Sequence, residues 1–127
     1  MPKIAYKQLE SRIATVTSIN LLAPGTTTLY TVPVGMTAII TEVILEVTSA
    51  SAVTGNAALG VGIASGEDDI FTSEAASGLT AVGKIFSMPL RGASRTAPAS
   101  SVVKLGVDTA ATGTTLTVTA HVFGKFI

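Results

Sequence analysis

His121 is the only histidine in the chain, and it lies in Thr115–Phe126, a stretch whose side chains alternate in character. A cupin-like metal centre takes several imidazoles and a carboxylate, and a serine hydrolase needs a histidine held between nucleophile and acid. A single imidazole supplies neither, and no GxSxG pattern occurs. His121 is therefore read as a surface or interface residue. The acidic cluster Glu67-Asp68-Asp69 has the oxygen ligands that hard cations prefer. It lacks the alternating DxDxD spacing of a calcium loop, so it is read as a solvated loop without a cation. Gly60-Val61-Gly62 and Gly55-Asn56 are not followed by the Gly-Lys-Ser/Thr of a phosphate loop. Arg91 and Arg95 share one loop and can meet carboxylates or phosphates of a neighbour. With no cysteine, thiolate nucleophiles, zinc–thiolate sites and disulfides are excluded together. No catalytic residue, cofactor or metal is expected, and the chain is read as a non-enzyme.

The residues that remain are strand formers. Thr28–Ser49 is the most apolar unbroken stretch, and it reads as strand, tight turn and long strand. Pro33 has no N–H and closes the first arm, and Gly35 supplies the positive φ of the turn. In the second arm Ile39, Val43, Leu45 and Val47 form one face, with Glu42, Glu46 and Thr48 on the other. Ile40 and Ile44 then fall among the glutamates. Two isoleucines on an outer face point to a subunit contact, which Phe123 on the last strand joins.

Further strands are expected at Arg12–Ile19, Ala57–Ile63, Lys84–Met88, Ser101–Asp108 and Thr115–Phe126. Ala23-Pro24-Gly25-Thr26 has the residues of a type II turn. Thr72–Ala76 reads as a single helical turn capped by Thr72 or Ser73, inside a long irregular region, Ser65–Gly83. In Ala57–Ile63 the face Ala58, Gly60, Gly62 is almost bare, which marks either a crowded sheet-on-sheet contact or an intersubunit one. Seven or eight strands without a convincing helix predict an all-β, antiparallel two-sheet sandwich of jelly-roll or Greek-key type. It occupies residues 13–127 as one domain. Residues 1–12 form an N-terminal arm whose few anchors, Ile4, Tyr6 and Leu9, suit a neighbour better than its own core.

Composition points the same way. Of 127 residues 47% are hydrophobic, but only 13% are charged, about half the usual ~25%. A surface so poor in charge suits an oligomer or lattice better than a solitary subunit. Net charge is zero and the pI is about 6.5, which gives a nucleic-acid or anionic-membrane partner no electrostatic support. No run reaches the ~18 apolar residues of a membrane span. The N-terminal stretch has no signal-peptide core, so synthesis in the cytoplasm is expected.

The segment Leu29-Tyr30-Thr31-Val32-Pro33-Val34-Gly35-Met36-Thr37-Ala38-Ile39-Ile40 resembles one found in small structural proteins of tailed bacteriophages. About 20 residues share the likeness closely, and the rest of the chain shares its Thr/Ala/Gly-rich, cysteine-free, all-β character. The likeness is greatest to jelly-roll capsid decoration (cement) proteins, which commonly sit as trimers on the head and clamp capsomers. It implies a homo-oligomer, a trimer foremost, on the capsid surface of a virion, with the major capsid protein or another virion protein as partner. Tail-tip and fibre modules share the motif, so a binding module for a host glycan or surface protein is the alternative. The absence of tryptophan and the presence of only Tyr6 and Tyr30 favour the first reading, because glycan sites use exposed aromatics. No binding residue carries over, since the matching positions are turn and strand positions.

Overall fold

The computed structural model describes residues 11–64, 69–89 and 96–127. Among them are nine strands: β1 (Ser11–Asn20), β2 (Gly25–Thr31), β3 (Ala38–Ser51), β4 (Ala57–Gly62), β5 (Phe71–Ala76), β6 (Ile85–Pro89), β7 (Thr96–Ala97), β8 (Val102–Thr109) and β9 (Thr115–Phe126). The first sheet runs β1-β9-β3-β6, with β7 beside β6 on the same edge of β3, and the second runs β2-β8-β4-β5. Every pairing is antiparallel. β1 meets β9, β2 meets β8, β3 meets β6 and β4 meets β5. The first half of the chain thus pairs with the second half in reverse order, as a long hairpin rolled into two layers. That nesting is a jelly roll.

Alternation along each strand supplies the core. Leu116, Val118, Ala120 and Val122 of β9 face Leu59 and Val61 of β4 and Val103 and Leu105 of β8, all of them buried. At one end Tyr30 of β2 and Phe126 of β9 close the gap between the sheets, their ring centroids 6.3 Å apart. Burial raises the Tyr30 phenol above its ordinary pKa.

β3 departs from simple alternation. Ile40 pairs with Gly124 but Glu42 pairs with Phe123, which leaves Thr41 as an extra residue in a β-bulge. The bulge reverses the phase of the strand. Ala38 and Ile40 point into the core before it, and Val43, Leu45 and Val47 after it. Ile40 is fully buried, so the expected place for it on the outer face, in a subunit contact, is corrected. Ile39 takes the half-buried position instead. The Thr41 hydroxyl is enclosed at the bulge with no hydrogen-bond partner among the described residues.

Three local readings also change. Thr72–Ala76 is strand, not a helical turn, because Ala76, Ala75 and Glu74 pair with Ala57, Ala58 and Leu59. Gly25 has φ +144 and opens β2, whereas a type II turn needs about +80 there. The reversal falls earlier, where the Asn20 side chain accepts from the Leu22 N–H at 2.9 Å. The bare face of β4 lies opposite Leu59 and Val61, which fill the core, and so turns away from the first sheet among the described residues, although Gly60 and Gly62 on it are buried. Gly35 behaves as expected: its φ is +81, and the Met36 N–H donates to the Pro33 carbonyl across the turn.

Gly124 makes the bulge possible. A Cβ there would lie 2.5 Å from the Ile39 carbonyl oxygen and 3.3 Å from Ile13 Cδ1. Gly124→Ala should therefore cost about 1–3 kcal/mol through forced backbone movement. It should lower the urea midpoint without changing the slope. An unchanged midpoint would mean that β3 and β9 have room to part.

Candidate interaction surface

Cross-strand partners project from the same face of a sheet, so the registers define the outer surface of the first sheet. One row across it is Thr15, His121, Ile44 and Ser87. The next is Arg12, Phe123 and Glu42. On the other side of the first row, Thr119, Glu46 and Ile85 form a third. Ile44 and Phe123 are half-buried and Ile85 is 62% exposed. Among the described strands none packs on this face, since the second sheet covers the opposite one.

Polar side chains frame the apolar centre. An Arg12 Nη1–H donates to His121 Nδ1 at 3.4 Å, and His121 Nε2 meets Glu46 Oε1 at 3.2 Å. This arrangement uses the tautomer with its hydrogen on Nε2. The Ser87 hydroxyl donates to Glu42 Oε2. Ser87 and His121 stand on either side of β3, about 9–10 Å apart from the strand spacing. That exceeds the reach of a nucleophile–base pair. The arrangement orients side chains across three strands and assembles a surface rather than a reactive centre.

The acidic loop resolves in part. Asp69 Oδ1 accepts from the Ile63 N–H at 2.8 Å and the Ala64 N–H at 3.4 Å. It closes the β4–β5 connection on itself. Glu67 and Asp68 lie outside the described residues, as do Ile4, Tyr6, Leu9, Arg91 and Arg95. Among the described residues no cluster of three metal-ligating side chains occurs, and no helix is long and apolar enough to cross a membrane.

Connections bond to one another at both ends of the sandwich. At one end Thr54 N–H donates to the Thr112 carbonyl, Ala111 N–H to Leu21 and Thr114 N–H to Ser51, and at the other Val32 N–H donates to the Ser101 carbonyl and Ser100 N–H to Val32. At that second end lie the start of β1, the β2–β3 turn with Val34 87% exposed, and Ile127, whose N–H donates to the Thr37 carbonyl.

No protein-family model matches the chain, and no curated protein matches it. Its fold is similar to chains in two solved phage capsids. A chain of the cyanophage Pam1 capsid asymmetric unit matches at 21% identity and a TM-score of 0.53, over 98% of this chain and 90% of that one. A chain of the acid-stable capsid of Helicobacter pylori bacteriophage KHP30 matches at 17% identity and a TM-score of 0.56, over 94% and 92%. At these identities the likeness is one of fold.

Asp69→Ala should cost about 1–2 kcal/mol by stripping two backbone donors of their acceptor, while Asp69→Asn keeps most of the stability. EDTA should leave the melting temperature unchanged. A drop of several degrees that calcium restores would show that the acidic loop holds a cation.

Proposed function

We propose that this chain is a structural protein of a bacteriophage virion that binds the capsid surface as an oligomer and stabilises the head. The observation that carries this reading is the whole-chain likeness of its nested jelly roll to chains in two phage capsid structures. A low charge density and a framed apolar face on the first sheet support it. The partner is the major capsid protein or another virion protein, and the oligomer is the trimer that resemblance to decoration proteins implies. The chain works by binding and not by catalysis, without nucleic acid or membrane. Its pole with the exposed Val34 is the end suited to the capsid.

Ile44 and Phe123 supply the contact between copies. Both are already half-buried, so completing the burial of each contributes roughly 1 kcal/mol, and an axis of symmetry repeats the gain. Light scattering after size-exclusion chromatography should show a trimer for the native chain and a shift towards monomer or aggregate for Ile44→Glu. A trimer with unchanged melting in that variant would remove this face from the contact. Added to heads that lack it, the native protein should co-sediment saturably. Binding to tails or host cells instead of heads would turn the reading towards a tail-tip or fibre module.

A further inference from the structure

Arg12 on β1 has two seats within reach, and it occupies the less direct one. Its cross-strand partner is Phe123 on β9, with Glu42 on β3 next in the same row. Its guanidinium leans instead to the neighbouring row, where an Nη1–H donates to His121 Nδ1 at 3.4 Å. That bond needs the lone pair of a neutral imidazole. On its other nitrogen His121 meets Glu46 Oε1 at 3.2 Å, so a neutral ring bridges a cation and an anion. A proton added at Nδ1 removes the acceptor, sets two cations against each other and tightens the pairing with Glu46. We infer that His121 is a proton-operated switch for this face: when the imidazole is protonated, the Arg12 guanidinium moves to the seat over Phe123, towards Glu42, and covers the contact between copies.

Among the described residues the surroundings leave the decision to these groups. From β1 the charged group that faces His121 is Arg12, and from β3 it is Glu46, with Glu42 in the next row. On β9 itself Lys125 lies four residues along, about 13 Å away. β6 presents Ser87 and Ile85, neither of which titrates. No described strand covers this face, and the His121 side chain keeps 21% of its exposure, so protons reach it. Imidazoles change charge between about pH 5 and 8, where carboxylates are ordinarily ionised. A guanidinium gains from lying on an aromatic face within about 6 Å, and Phe123 is the direct neighbour of Arg12. There it occupies the ring surface that a second copy would cover, and each face carries one more positive charge. Proton binding thus favours the separated chains, so assembly is complete above the imidazole range and weakens as pH falls through it. This consequence for assembly rests on the oligomeric reading above, whereas the exchange of seats within one chain does not.

His121 is the only imidazole in the chain, so its NMR signal follows the proton without overlap. Between about pH 8 and about pH 5, the Phe123 ring signals of the full chain should move in step with it. Nuclear Overhauser contacts from the Arg12 side chain to that ring should emerge at the acid end. In Arg12→Gln most of the movement should be lost. Phe123 and Arg12 signals that stay fixed while His121 titrates would overturn the switch. Over the same range, light scattering should show the dissociation constant of the native oligomer rising about tenfold or more, and that of His121→Gln holding one value. His121→Asn takes its place if that variant misfolds. A native oligomer indifferent to pH, or a native pH dependence retained in the substituted protein, would overturn the inference. A chain that is monomeric at both ends of the range yet exchanges its Arg12 seats would support the switch and overturn the oligomeric reading alone.

Discussion

The last strand of the chain occupies the middle of a sheet, and the architecture depends on that placement. β9 pairs with β1 on one side and with β3 on the other, along nearly its whole length. Neither neighbour can complete its ladder, nor the first sheet cover the core, until the C-terminal strand is inserted. These are pairings between residues from 64 to 113 positions apart, so loop-closure entropy comes before most of the burial that repays it. Gly124 is the point of closest approach. It pairs with Ile40 at the edge of the β3 bulge, while the β1 bulge between Arg12 and Ala14 lies one step on, opposite Phe123 and Val122. The backbone contact it permits sets the phase of β3, and with it which residues fill the core and which face outward.

Much of this was legible in the residues, because period-2 alternation needs only local information. The strands, the sandwich, the Gly35 turn and the core faces of β8 and β9 all follow from it. The β3 bulge left a trace as well: the buried positions run 38, 40, 43, 45, 47, and the step of three is where Thr41 is inserted. Adjacent isoleucines at 39 and 40 masked it, since either can be read as the inward one. β5 was missed for another reason. Its Thr-Ser-Glu-Ala-Ala composition tolerates a helix, and only pairing with β4 makes it a strand.

The interaction face was half visible. Ile44 and Phe123 stand out as large apolar residues on polar faces, and each is placed by its own strand. The chain of contacts from Arg12 through His121 to Glu46 joins residues on three strands, so it exists only once β9 lies between β1 and β3. A surface is thereby built from residues that have no common motif, on a scaffold whose interior is conventional. The core fixes the geometry, and no described strand covers the outer face of the first sheet.

Cryo-electron microscopy of purified virions tests the central claim most directly. The account predicts density for this jelly roll repeated over the outside of the head, in clusters about local symmetry axes, with the pole of Val34 towards the shell. Density for it confined to the tail, or intact virions whose heads carry none, would contradict a role on the capsid surface.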